Sequence, residues 1–284
     1  MSKSKKVFLF IFLLKNFLIG TVFAQTVWEG KVVVDGKKEI TEAVVIKSGV
    51  QIILKKDAEL IFKNNVESQT GKKGEIKITG TENNNITFEK SAVNISNLSL
   101  DNIDVIQFLE SNINVKKIKI AKAKVAFKVS KSTTGSVDDI TIKDSEIGFV
   151  TELKAKVFVN NGNFYDNKTA FIADQAGVAD IRNSNFYKNN MAIGVNLDGG
   201  IRIYNSNIYD NEGGIVFTKH IGSIINENSF RNNKVAIYAE YMTNINIEKN
   251  QFNKNDTAIK FYQLVNGKIR GNNFVKNNNA ISLE

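Results

Sequence analysis

The chain is 284 residues long, carries a formal net charge of +9 at pH 7, and contains no cysteine, no proline and a single histidine. Disulfides, thiolate metal sites and cysteine nucleophiles are thereby excluded. One imidazole cannot build a zinc or copper site within one chain, so no metal and no cofactor is expected.

Residues 1–24 read as a secretory signal peptide. Lys3, Lys5 and Lys6 give a positive start, Val7 to Leu14 an apolar run, and Val22, Phe23 and Ala24 the cleavage site. A membrane anchor is the competing reading, but Lys15 and Asn16 interrupt the apolar stretch short of the ~20 residues that spanning requires. Cleavage would remove four lysines and no acid, leaving a chain that starts at Gln25 with a charge of +5. That surplus is too modest to imply nucleic acid. No later segment is apolar enough to span a bilayer, so a secreted, periplasmic or cell-surface protein is expected.

Residues 25–62 read as an N-terminal cap with the first coils, and residues 63–284 as a repetitive solenoid that becomes regular from about residue 157. In the earlier part Leu54, Ile76, Leu98, Ile120 and Ile142 recur with a 22-residue period. Their alternating partners fall now before and now after them, which predicts register slips of two residues. From Ile142 to Val159 the spacing is shorter than this period, read as one coil with a turn trimmed away. The basic run Lys116, Lys117, Lys119, Lys122, Lys124, Lys128 and Lys131 has acids one repeat later at Asp138, Asp139, Asp144 and Glu146. A face salt-bridged between coils is the preferred reading over a patch for anionic polymer.

The later repeat is unambiguous. Segments NFYDNKTAFIA, NFYKNNMAIGV, NIYDNEGGIVF, SFRNNKVAIYA, QFNKNDTAIKF and NFVKNNNAISL align at the same 22-residue period without exception. A large apolar position (Phe164, Phe186, Ile208, Phe230, Phe252, Phe274) is followed three positions on by Asn167, Asn189, Asn211, Asn233, Asn255 and Asn277. Apolar residues alternate over short stretches, as in Ile201-Arg202-Ile203, which is strand periodicity. A sandwich also uses short strands, but nothing in it demands a fixed period. The predicted fold is therefore all-β: a single-stranded right-handed parallel β-helix with 22-residue coils, in which equivalent residues stack at ~4.8 Å. One coil cannot bury its own apolar side, so its stability must come from its neighbours.

These units, with asparagine, a small residue and isoleucine in order, resemble the parallel β-helix repeats of carbohydrate-binding proteins and sugar hydrolases, and those of periplasmic proteins that help mature nitrous oxide reductase. The stretches VVIKSGVQIILKKDAELIF and GEIKITGTENNNITF also resemble the opening coils of secreted members. The resemblance implies a solenoid outside the cytoplasm that deals with polysaccharide; it is specific for fold and weak for function. The acids and arginine of pectate lyases, and the paired aspartates with Gly-His-Gly of polygalacturonases, are not found. His220 stands in Lys219-His220-Ile221-Gly222, which lacks the first glycine.

Candidate ligand-binding residues form two columns. Tyr165, Tyr187 and Tyr209 follow the large apolar position on three successive coils, with Arg231 next, and Asp166, Lys188 and Asp210 run beside them. Alternation turns the rings outward, and two readings stand: a sugar-binding face, or an aromatic ladder that steadies adjacent strands. Lys188 is expected to pair with both flanking aspartates. For catalysis the weak candidates are Asp198 and His220, one repeat apart, where a carboxylate would orient an imidazole; a lone surface histidine is the plainer reading. The asparagine column is assigned to structure.

The expected function is a non-catalytic exported protein presenting an elongated surface to a polysaccharide, surface glycan or protein partner. The alternative is a polysaccharide lyase or glycoside hydrolase, and a further one is a structural or adhesive segment of a longer surface protein. No amphipathic cap follows the last repeat at Glu284, so a continuing chain, a covering partner or end-to-end self-association is expected there.

Overall fold

The computed structural model of the protein describes residues 25–69, 74–219, 222–241, 243–263 and 265–284. The expected signal peptide, residues 1–24, and His220 lie outside them. Among the described residues are 33 strands and no helix long and apolar enough to cross a membrane.

A single coil shows how the sequence winds. In Lys156–Asn160, Val157 and Val159 point inward while Phe158 points out, as a two-residue period requires. Asn161, with φ 54°, then turns the chain. Asn163–Tyr165 buries Phe164, and Asp166 at φ 55° makes the second bend. Thr169–Ala173 buries Ala170, Phe171 and Ala173 before Gln175 and Ala176 close the coil, both at positive φ. Asparagine and aspartate tolerate the left-handed region better than most side chains and hold the first two bends of this coil, while the third, and bends elsewhere such as Lys188, are held left-handed by residues without that preference. Every bend in this coil is short, so no long loop rises above the strands.

The first two strands of a coil, fused into one ten-residue strand in the coils of Ala92–Asp101, Asn112–Ala121 and Thr134–Lys143, belong to a 21-stranded sheet and the last strand to a 12-stranded sheet, and all pairings are parallel. Phe186 pairs with Phe164 on one side and Ile208 on the other, the vertical neighbours that the repeat demands. The parallel β-helix is thus the fold of the chain. Inside it two aromatic stacks run along the axis. Phe164 and Phe186 lie 4.8 Å apart, and Phe230, Phe252 and Phe274 continue that column beyond Ile208. A second stack of Phe62, Phe88, Phe108, Phe127, Phe149 and Phe171 runs with centroids 4.8 to 4.9 Å apart. Full burial of each ring is worth ~1.5–3 kcal/mol.

Two expectations for the earlier coils are corrected. No coil is trimmed between Ile142 and Val159: Ile142 pairs with Phe164 and Val159 with Val137, each across one full repeat. Both partners lie in one ten-residue strand, Thr134–Lys143, which bends at Asp139 (φ 57°) and serves two columns at once. Nor do Leu54 to Ile142 form a single column. Leu98 does lie over Ile76, but Ile118 lies over Leu98 and Ile120 over Leu100, a 20-residue coil and the two-residue slip. Ile52 pairs with Ile78 across a 26-residue coil. The lysine run also pairs differently. Lys116 does lie beside Asp138 in the sheet, yet Asp138 accepts hydrogen bonds from Asn160 and Asn161 at 2.8 and 3.1 Å. Lys122 and Lys124 reach back to Asp101 and Asp104 at 3.8 and 2.7 Å and Lys119 to Glu75 at 3.4 Å, while Lys128 reaches onward to Glu152 at 2.9 Å and Lys124 also feels the charge of Glu146, its expected partner one repeat on. The face is salt-bridged between coils, mostly toward the preceding ones.

Candidate functional site

The asparagine column is a continuous hydrogen-bonded ladder. Each Nδ2 donates to the Oδ1 one coil on, from Asn167 to Asn277, at 2.9 to 3.2 Å. The same Oδ1 atoms accept the backbone N–H of the preceding rung, at 3.0 Å for Asn167 to Asn189. Each rung thus satisfies backbone groups that the bend takes out of the strand ladder. A second ladder at the other short bend, Ser184, Ser206, Asn228, Asn250 and Asn272, escaped the sequence reading. Its signal was the same repeat spacing, masked by the change from serine to asparagine.

Outside the barrel wall, Tyr165, Tyr187 and Tyr209 are brought together as expected, with centroids 5.0 Å apart and planes within 9°. Arg231 continues the column, its guanidinium 5.0 Å from the Tyr209 ring. The rings are half-buried and lie face to face along the axis. The faces between the rings are therefore taken up by one another and the far face of Tyr209 by Arg231, so that what these rings offer to solvent is mainly ring edges and a row of phenol hydroxyls at coil spacing. Burial, Tyr187 and Asp210 hold the Tyr209 hydroxyl above its usual range, against an opposing pull from Arg231.

Asp166, Lys188 and Asp210 share the bend position, all left-handed, with φ of 55°, 54° and 56°. The expected bridging role of Lys188 is not seen: among the described residues no ion pair joins it to either aspartate. Asp210 Oδ1 instead accepts from Asn232 Nδ2 at 2.9 Å, because the bend projects these side chains along the turn edge. Asp198 sits in the bend after Met191–Asn196 with φ 65°, its N–H donating to the Lys219 carbonyl at 3.1 Å. Its expected partner His220 lies outside the described residues.

One arrangement was missed by sequence reasoning. Arg182 is held between the rings of Phe158 and Tyr204, 5.6 and 5.2 Å from their centroids, and its Nε donates to Asp180 Oδ1 at 2.9 Å. These residues occupy the outward columns of Lys156–Asn160, Val178–Arg182 and Gly200–Tyr204, on the strand face preceding the tyrosine column. Phe158, Asp180 and Arg202 stand one repeat apart, as do Asn160, Arg182 and Tyr204, so the alignment that revealed the tyrosines contained them. Among the described residues no cluster of three or more His, Cys, Asp or Glu side chains forms a metal-binding group.

Residues 148–284 match the family described as right handed beta helix region. No curated protein sequence matches the chain. Among solved structures, a substituted form of the periplasmic alginate epimerase AlgG superposes with a TM-score of 0.60 at 7% identity, covering 84% of this chain and 78% of that one. Another structure of the periplasmic alginate epimerase AlgG gives 0.53 at 9%, with the same coverages. The catalytic domain of a GH87 alpha-1,3-glucanase in complex with tetrasaccharides gives 0.57 at 11%, covering 89% of this chain and 62% of that one. At these identities the likeness establishes the fold alone.

Proposed function

We propose that the protein is an exported polysaccharide-binding solenoid whose contact surface includes the Tyr165–Tyr187–Tyr209 column, Arg231 and the bend residues Asp166 and Asp210. The single observation that carries this reading is the row of phenol hydroxyls repeating at the 5.0 Å spacing of the rings. An extended sugar chain lying along the axis advances by a similar step per residue, so each sugar would meet an equivalent hydroxyl with charged hydrogen-bonding groups at its side. Multiple weak contacts of this kind add along a polymer. Soluble polysaccharides, neutral and acidic, test it by affinity electrophoresis. Replacing all three tyrosines by phenylalanine keeps the stacked rings and removes only the hydroxyls. Retardation by at least one polymer that falls severalfold in the triple variant supports the reading; no retardation by any polymer overturns it.

The second reading is a polysaccharide-modifying enzyme. The likeness to an alginate epimerase and an alpha-1,3-glucanase favours it over a non-catalytic role. It predicts new reducing ends, unsaturated products or altered sugar configuration after incubation, whereas the binding reading predicts an unchanged polymer.

A further inference from the structure

Further along the solenoid, on the 12-stranded sheet, lies a second aromatic group that the tyrosine column does not include. Glu240 ends the strand Val235–Glu240 and faces outward, two positions after Tyr238 and so on the same side of the sheet. Thr218 lies beside it on the preceding coil and Tyr262 on the following one, in direct register. Tyr241 follows at the bend, left-handed at φ 52°. The Glu240 carboxylate is fixed from two directions: Tyr238 donates its hydroxyl to Oε2 at 2.6 Å, and Thr218 donates to Oε1 at 3.4 Å. Each oxygen keeps further acceptor capacity.

The contrast with the Tyr165 column is physical. There the ring faces cover one another; here Tyr241 and Tyr262 are 40% and 36% exposed, and among the described residues no ring or cation stacks on either. Exposed aromatic rings present an apolar surface to the CH groups of a sugar, and a pre-oriented carboxylate beside them accepts from neighbouring hydroxyls. The nearest cation in the sheet register, Lys260 beside Tyr238, is engaged by Glu284 at 2.9 Å. Lys219 lies one coil before Tyr241, at the equivalent bend, and is exposed. A fixed, partly buried negative charge at the centre disfavours an acidic sugar by repulsion and desolvation.

The geometry points to a carbohydrate subsite formed by Tyr238, Glu240, Tyr241 and Tyr262 that takes a neutral hexose unit, with Tyr241 and Tyr262 as stacking platforms and Glu240 as the hydroxyl acceptor. This rests on the proposed polysaccharide-binding role and adds to it a second contact and a preference for uncharged sugars.

The test is affinity electrophoresis in soluble mixed-linkage β-glucan, soluble α-glucan and alginate, comparing the intact chain with Tyr241→Ala/Tyr262→Ala, Glu240→Gln and the Tyr165/Tyr187/Tyr209→Phe triple variant. Near-native unfolding midpoints verify that the exposed-tyrosine variant folds, and Glu240→Gln preserves the shape of the side chain. A neutral glucan should bind better than alginate, with the dissociation constant rising about tenfold in Tyr241→Ala/Tyr262→Ala and severalfold in Glu240→Gln. Glucan binding unchanged in both variants but lost in the triple variant overturns the subsite and leaves the polysaccharide role standing, as does stronger binding of alginate. Failure of the intact chain to bind any of the polymers overturns both.

Discussion

Replacing Asn211 by alanine tests whether the ladder holds the coils together. Asn211 is 3% exposed; its Nδ2 donates to the Phe186 and Tyr209 carbonyls and to Asn233 Oδ1, all at 3.0 Å. Its Oδ1 accepts the backbone N–H of Asn189 at 2.9 Å and Asn189 Nδ2 at 3.1 Å. The bond from Asn211 N to Asn233 Oδ1 survives the substitution, and Asn189 Nδ2 keeps its own carbonyl acceptors. What is lost without replacement is an acceptor for the Asn189 N–H and a donor for at least one carbonyl, both in a dry interior. At ~1–3 kcal/mol for each stranded group, Asn211→Ala costs about 2–6 kcal/mol. Asn253 supplies the control, because its Oδ1 is buried with no hydrogen-bond partner. Asn253→Ala should stay within about 1 kcal/mol of the parent. Guanidinium unfolding followed by far-ultraviolet circular dichroism reads both. An Asn211→Ala variant within about 0.5 kcal/mol of the parent would refute the reasoning, since ordinary surface substitutions fall in that range.

Other outcomes follow from the same geometry. Gly214→Ala should destabilise by about 1–3 kcal/mol in the same denaturation assay, although alanine fills the equivalent place in neighbouring coils, because a Cβ there would run into the Ala236 carbonyl oxygen. The Tyr238 hydroxyl, held by Glu240, is pushed up to about 12 from an ordinary 10.0. The folded state therefore keeps this proton where the unfolded chain has lost it, so stability falls as pH rises from about 10 to about 12, and Tyr238→Phe should flatten that part of the stability profile. Lys124→Ala removes an exposed ion pair with Asp104 and should shift the unfolding free energy by no more than about 1 kcal/mol, less at high salt.

The later coils were legible because their length is constant: with every turn the same, one alignment placed Phe186 between Phe164 and Ile208 and set the asparagines in a row. The earlier coils were not, because length varies where bends differ in the length of chain they hold. The longest aromatic stack went unread for this reason, as the spacing in the chain shortens at each step from Phe62 through Phe88 and Phe108 to Phe127. Outward columns follow from the repeat, but their use does not. Spacing brought Tyr165, Tyr187 and Tyr209 together without showing that each ring face would be covered by the next. It also passed over Arg182 and Glu240, each of which has one partner in its own column, Tyr204 and Thr218, and the rest in the column two residues away, so that no single column spells out the whole contact.

Distances between spin labels along one outward column test the winding most directly. Positions 124, 168, 212 and 256 are exposed at the same bend, and the fold makes each step two coils. Label pairs at 168 and 256, four coils apart, should lie ~19 Å apart along the axis, and pairs at 124 and 256, six coils apart, ~29 Å. A separation that grows by the same increment per coil is the predicted result. Distances that fail to rise with the number of coils, or that rise as the length of intervening chain would in an extended segment, would contradict a continuous solenoid.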